Sequence, residues 1–369
     1  GLICLLHEKP FDGINGSGKH NNWSLTTDDG INLFKPGKKP ENNSLFQLVL
    51  ACTMAAVDAH AVLLRLAASN TGNDHRLGAN EAPPAIISMY LGDQVGDVVD
   101  QIIKNGEATS SLSSGEIDFG IKKLPKLEKD PTDRNRTSPF AFTGNRFEFR
   151  MVASSNTIGD VNTVLNAMMA EQFEKAVEVL SKADDFETAV TEYTAKLMRE
   201  HQRIIFNGNG YSEEWPVEAE KRGLPNCKSI VDAIPALLDD TTIEMYGKFG
   251  ILSKAELAAR KEILFEQYAG VRNIEALTMV DMANKLIIPA TVKYTKELAD
   301  TVLAVKEAGV DATIQAEMLA DATAKLTEMK KAVKNLSEVT EKAANAGDAQ
   351  AVAVAYKDEV MEAMAELRK

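Results

Sequence analysis

The sequence predicts an α+β chain with a strand-bearing front and an all-helical rear. Three observations carry this. Strand-like runs and strict two-residue alternation fall within about the first 150 residues. From Asn162 onward, apolar residues recur at three- and four-residue intervals, the period of a helix. Charge divides in the same way. Residues 1–150 hold 16 Lys and Arg against 18 Asp and Glu, which leaves −11 of the net −13 for the remainder, as suits a solvated helical surface.

At 369 residues and 40.1 kDa, the chain can bury a large core and is expected to form two domains. Its net charge of −13 argues against a nucleic-acid partner. No apolar run is long enough to span a membrane, so no membrane role is expected. Cys4, Cys52 and Cys227 are scattered without metal-ligand spacing, which fits a reducing cytosol and predicts a cytoplasmic protein.

Leu2 to Leu6 reads as a strand, and the chain begins inside it with Gly1; the natural N-terminus is therefore expected upstream. The stretch Lys9 to Ser24 follows, with Gly13, Gly16 and Gly18 free to bend, His20 at the exit, and Trp23–Leu25 as a departing strand. It lacks P-loop spacing. On spacing alone, a hairpin loop with one hydrogen-bonded histidine is favoured over a phosphate or metal site.

Asn43-Ser44 offers an N-cap for one long buried helix to about Ala68, with His60 packed or capping. The loop Asp74 to Pro84 carries Arg76 and Glu81; alone, these read as a surface salt bridge, although an Arg fork can grip a carboxylate and a loop Glu can accept a proton. Pro84 to Val99 could be strand or helix. Asn145 to Arg150 alternates, placing Arg146, Glu148 and Arg150 on one strand face. That is either a structural ion-pair ladder or a cation-binding carboxylate between two arginines.

In the rear, helices are expected over Val161–Ala183, capped Phe186–Phe206, Glu213–Arg222, Ser229–Leu237, Thr241–Tyr246 and Lys254–Tyr268. Asn207-Gly208-Asn209-Gly210 reads as a connecting turn. Leu319, Ala322, Leu326, Met329, Val333, Leu336, Thr340 and Ala343 form a heptad seam, and Val352, Tyr356, Val360, Ala363 and Leu367 stripe the last helix.

The literal strings add more. Asn15-Gly16-Ser17-Gly18-Lys19-His20-Asn21-Asn22-Trp23-Ser24, preceded by Lys9-Pro10-Phe11, closely resembles the ATP-binding signature of glutamine synthetases in its type III form. Arg76-Leu77-x-x-x-Glu81-Ala82-Pro83 is similar to the segment carrying a substrate Arg and a flap Glu, with one residue fewer between them than in most families. Arg146-x-Glu148-x-Arg150 resembles the strand supplying a metal-binding Glu and a substrate Arg, and Arg136 matches a nucleotide-phosphate Arg. Ala141 and Thr143 stand about where type I enzymes carry a further Arg and Lys. Arg203 to Ser212 also looks like the type III branch.

The resemblance implies a glutamine-synthetase-type antiparallel-sheet catalytic domain, present in part over residues 1–165, and a helical C-terminal extension over residues 166–369. It implies ATP-dependent ligation of ammonia to L-glutamate through a γ-glutamyl phosphate, with ATP and Mg²⁺ or Mn²⁺ as cofactors. His20 and Glu148 would hold the metal. Arg136, Asn15, Gly16 and Ser24 would serve the nucleotide side. Arg76 and Arg150 would hold glutamate, and Glu81 would take a proton from ammonium and shield the acyl phosphate. It further implies a ring-type homo-oligomer, a dodecamer by family likeness. The family's other metal carboxylates precede this region, so the chain alone is expected to bind nucleotide weakly and turn over little. Two alternatives stand beside this: a related ligase that joins glutamate to another amine, and a non-catalytic assembly protein keeping the fold.

Overall fold

The computed structural model describes residues 7–112, 116–117, 127–128 and 135–369. The strand expected at Leu2–Leu6 and most of the Lys/Pro/Asp-rich stretch 121–133 lie outside the described residues. The chain forms two compact units, Gly1–Leu257 and Ala258–Lys369.

The first unit runs in order through β1 (Gly18–Trp23), α1 (Ser44–Ala59), α2 (Ala61–Ala67), α3 (Asn73–Arg76), β2 (Met89–Tyr90), α4 (Gly92–Asn105), β3 (Glu116–Ile117), β4 (Leu127–Glu128), β5 (Phe140–Phe142) and β6 (Phe147–Ala153). Helices α5 (Gly159–Leu180), α6 (Phe186–His201), α7 (Glu214–Lys221), α8 (Ile230–Ala233) and α9 (Asp240–Lys248) follow. A mixed α+β architecture with a helical rear is therefore observed.

Four strands form one sheet in the order β1-β6-β5-β2. β1 and β5 each pair antiparallel with β6, while β2 pairs parallel with β5. The strand expected at Trp23–Leu25 instead starts inside the glycine motif, because Gly18 pairs with Ala153 and Trp23 with Phe147. His20 is thus a strand residue and not a loop exit. Opposite it the register slips: between the Lys19–Val152 and Asn21–Phe149 pairs, Arg150 and Met151 face His20 alone. A bulge of this kind re-aims side chains and sharpens local twist.

One side of the sheet is an aromatic layer. Phe140 stacks on Phe147 at a centroid distance of 4.5 Å, with Phe34, Phe149 and Trp23 tilted or edge-on around them. Offset and edge-on rings add to the burial of so much apolar area. Arg146 falls outside β6 and is exposed, so the three-charge ladder expected from alternation reduces to Glu148 and Arg150.

The single helix expected to Ala68 is two. Asn43 caps α1 by accepting from Phe46 N at 3.1 Å, but the helix breaks at His60 and α2 leaves at 77°. The buried His60 imidazole meets Glu171 of α5 at 3.1 Å. Apolar residues circle both helices, so both are buried, and the bend lets each pack on α5. Among the described residues no single helix is long and apolar enough to cross a membrane.

Buried Arg65 of α2 donates to the Cys227 and Lys228 carbonyls and reaches Asp74 of α3 at 3.4 Å. Asp74 also accepts from Ser229 Oγ at 2.8 Å and from Ile230 N at the start of α8. Helix α3 is thereby fixed from below, and it ends on Arg76. The ambiguous 84–99 stretch resolves into β2 and α4, whose Val95, Val98, Val99 and Ile102 face inward. Asp185 caps α6, Gly223 (φ +71°) follows α7, and Ser229 caps α8 in a capping box with Asp232.

The boundary between units falls within α10 (Lys254–Met282), a longer helix than expected because Gly270 does not interrupt it. The second unit continues with α11 (Ile288–Glu307), α12 (Thr313–Ala344), α13 (Ala349–Ala355) and α14 (Met361–Arg368). The heptad seam of α12 is shielded throughout and fully buried at Val333, Leu336, Thr340 and Ala343. It packs on α11, on a π-helical turn at Tyr356–Val360 and on α14, where Tyr356, Val360 and Ala363 are buried. Asp348 caps α13 through Ala351 N at 2.8 Å.

Candidate active site

The site is built from β1, β6 and two loops that meet beside their ends. Asn22 pairs directly with Glu148, so His20, two residues back on the same face, lies diagonal to that carboxylate. His20 Nδ1 and Glu148 Oε1 are 2.7 Å apart, and Arg150 donates to Glu148 Oε2 at 2.8 Å. The His20 side chain is 55% exposed and Glu148 only 11%, so this row opens to solvent at its imidazole end. Burial pushes the Glu148 carboxyl up, but the hydrogen bonds and charges of Arg150 and His20 outweigh it and hold the group below the usual carboxylate range.

Arg150 is itself buried. It also donates to the Asn135 carbonyl, and its Nε has no partner among the described residues. A buried guanidinium donor with no acceptor is costly and invites a ligand acceptor.

Arg76 lies under the glycine motif and is 5% exposed. Its guanidinium donates to Asn73 Oδ1 (3.3 Å) and to the β6 carbonyls of Arg150 (3.1 Å) and Val152 (3.4 Å). Burial lowers its pKa, against the opposing influence of Tyr211 and Glu8. The glycines are explained by this packing. A Cβ on Gly18 would lie 2.2 Å from the Arg76 Cζ, and one on Gly16 would lie 2.4 Å from the Glu8 carbonyl oxygen.

The second loop sits on the first. Asn15 Nδ2 donates to Glu81 Oε2 at 2.7 Å, Lys9 Nζ reaches Asn80 Oδ1 at 3.3 Å, and Asn80 donates to the Gly13 carbonyl at 3.3 Å. Glu81 is exposed and has a φ of +50°, rare for a non-glycine residue and a mark of a held conformation.

Of the residues singled out from the sequence, Asn15 and Glu81 are joined directly. His20, Glu148 and Arg150 form one contiguous row, and Gly16 lies over Arg76. Arg136 is exposed on the loop leading into β5, next to the Asn135 that Arg150 grips. Ser24 stands apart past the end of β1, where Asn32 ties it toward the Asn145 carbonyl.

Glu8 is a residue that sequence reasoning missed. It is 2% exposed, and one carboxylate oxygen accepts from Asn70 Nδ2 (2.9 Å), Ser155 N (3.0 Å) and Ser155 Oγ (2.5 Å). Burial raises its pKa, but the bonds from Ser155 and Asn70 outweigh this and leave it lowered. Its carbonyl accepts from Ser17 N at 2.8 Å, so one residue ties β6's far end, the α2–α3 loop and the glycine motif together. A lone acid before a glycine loop has no periodicity to flag it.

Among the described residues no group of three or more His, Cys, Asp or Glu converges as a metal cage. His20 and Glu148 nevertheless suit a divalent ion in part. Two donors at about 2.1 Å from one octahedral cation stand about 3 Å apart, close to the observed 2.7 Å. An imidazole with a carboxylate is an acceptable donor set for Mn²⁺ or Mg²⁺.

The glutamine synthetase C-terminal domain family matches residues 189–306. Over most of its length the chain is similar to members of the glutamine synthetase family. Among them is the type-3 glutamine synthetase of Dictyostelium discoideum, at 46% identity over 305 residues, 82% of this chain and 41% of that protein. It is also 41% identical to the glutamine synthetase of Butyrivibrio fibrisolvens over 99% of this chain and 52% of that protein. The glutamine synthetase of Bacteroides fragilis (strain YCH46) is 37% identical, over 97% and 51% respectively. The chain spans about half the length of the curated relatives it matches.

Proposed function

We propose that residues 1–165 supply part of the active site of a glutamate–ammonia ligase, which phosphorylates the γ-carboxylate of L-glutamate with ATP and then lets ammonia displace phosphate. The observation that carries this is the unbroken row His20–Glu148–Arg150, with the Asn15–Glu81 pair from two other loops in the same neighbourhood. In phosphoryl transfer, catalysis is mostly positioning and charge neutralisation, which this row is built to provide.

His20 and Glu148 would hold one Mg²⁺ or Mn²⁺, which when bound offsets charge on the ATP phosphates. Arg136 would face those phosphates from the solvent side. Arg150 would hold glutamate and the transferred group, its free Nε offering an unspent donor. Arg76 spends its hydrogen bonds on β6, so it would brace the strand and lend charge from below; gripping a carboxylate directly would require its release. Glu81, held by Asn15, would accept the proton from ammonium and shade the acyl phosphate from water. Asn15 and Gly16 would carry the loop against the substrate, and Ser24 would serve the nucleotide's outer end. A homo-oligomeric ring belongs to the same reading.

Mn²⁺ titration followed by electron paramagnetic resonance tests the metal role. The parent chain should bind the ion with nucleotide present, and Glu148→Ala should lose that binding at least tenfold. Equal binding by the two would refute the site. Phosphate release with glutamate and a panel of amines then decides between ammonia and another acceptor.

A further inference from the structure

The run Asn207-Gly208-Asn209-Gly210-Tyr211 reads in sequence as a connecting turn, and no role above uses it. In the fold it lies along the loop that carries Arg136. Three consecutive residues of that loop are engaged. Asn135 Nδ2 donates to the Gly208 carbonyl at 2.7 Å, the Tyr211 hydroxyl donates to the Arg136 carbonyl at 3.2 Å, and Gly210 N donates to Thr137 Oγ1 at 2.8 Å. The approach is close enough to demand a glycine, since a Cβ at Gly210 would lie 2.6 Å from the Thr137 carbonyl oxygen.

The run is itself anchored. Phe206 N donates to the Met89 carbonyl at 2.8 Å, and Asn207 Oδ1 accepts from Leu91 N at 3.0 Å, so the segment extends the sheet beyond β2. On the other side of the Arg136 loop, Arg150 holds the Asn135 carbonyl. The phenol stands where burial raises its pKa while the charges of Arg150, Glu81 and Arg76 all act on it. The residue is 39% exposed.

We propose that Tyr211 is a positioning residue: its hydroxyl fixes the Arg136 backbone so that the exposed guanidinium is presented to the nucleotide phosphates. This rests on the function proposed above. The helical rear of the chain thereby reaches into the nucleotide side of the site, and Tyr211 acts through Arg136 without touching the reacting atoms.

The test is a double-mutant cycle on Mg-ATP binding, read by displacement of a fluorescent ATP analogue, with thermal unfolding measured alongside. Tyr211→Phe removes only the hydroxyl. It should weaken Mg-ATP binding about 3- to 10-fold, the range one hydrogen bond supports, without a matching loss in unfolding temperature. In an Arg136→Gln background the same change should have no further effect. In the assembled enzyme, the KM for ATP should rise while the KM for glutamate holds. Unchanged affinity in Tyr211→Phe overturns the inference, and so does an equal loss in the Arg136→Gln background. Failure of the parent itself to bind Mg-ATP would instead defeat the proposed function and this inference with it.

Discussion

Gly16→Ala gives the sharpest test of how the glycine motif is held. The added Cβ would lie 2.4 Å from the Glu8 carbonyl oxygen and 3.1 Å from the Arg76 Cγ. Carbon and carbonyl oxygen tolerate no less than about 3.3 Å, so the loop must retreat by about 0.9 Å. The Ser17 N to Glu8 O bond, now 2.8 Å, then passes out of hydrogen-bonding range. Losing it costs about 0.5–1.5 kcal/mol, and residual crowding about 1–3 kcal/mol. Replacing Gly stiffens the unfolded chain and returns about 0.4–1 kcal/mol. The net expectation is a loss of about 0.5–4 kcal/mol. Urea unfolding followed by tryptophan fluorescence measures it, because both tryptophans, Trp23 and Trp215, lie in the first unit. A loop displaced by about 1 Å should also weaken nucleotide binding, by as much as 100-fold if positioning is as sensitive as in other active sites. If Gly16→Ala unfolds within 0.5 kcal/mol of the parent, a margin typical of neutral surface changes, and binds nucleotide equally, the Glu8 contact does not hold the loop.

Other expectations follow from the same geometry. Glu171 has its carboxyl pulled down to about 2, first by the hydrogen bond from buried His60. A depressed carboxyl stabilises the fold above its unfolded value near 4.5, and that contribution fades as pH falls through the folded value; Glu171→Gln should therefore cost about 1–3 kcal/mol at pH 7 and progressively less between pH 4.5 and 2, as acid titration monitored by circular dichroism would reveal. Glu148→Gln should destabilise the first unit by about 2–4 kcal/mol by leaving Arg150 buried without its charge partner, and an unaltered urea midpoint would count against the pairing. Burial pushes the Cys52 thiol up to about 12, so thiol titration of the native chain should leave Cys52 unmodified until unfolding. Leu336→Ala in the α12 seam should cost the second unit about 2–5 kcal/mol, measured by calorimetry.

The residues now forming the row His20–Glu148–Arg150 were readable because a short motif and a strand's two-residue period both mark chemistry locally. The same period overreached at Arg146, since the β5–β6 turn takes that residue before pairing begins. The strand at Gly18 was hidden because glycine and polar residues carry no strand preference; only pairing with β6 makes them one. The break at His60 left no sign, because a helix apolar on all sides has no face whose interruption could be seen. Glu8 and Tyr211 depend on partners about 60 to 150 positions away, and no single stretch encodes such a meeting.

The bridge from Met89 to Ile205 bears on how the polypeptide matures. A ribosome emitting this chain delivers β2 more than a hundred residues before the segment that seals its outer flank. Until then, unsatisfied amides and carbonyls along that margin stay open to adventitious strands. Nascent molecules stalled short of Ile205 should be the ones that chaperones retain and that clump when they are withheld.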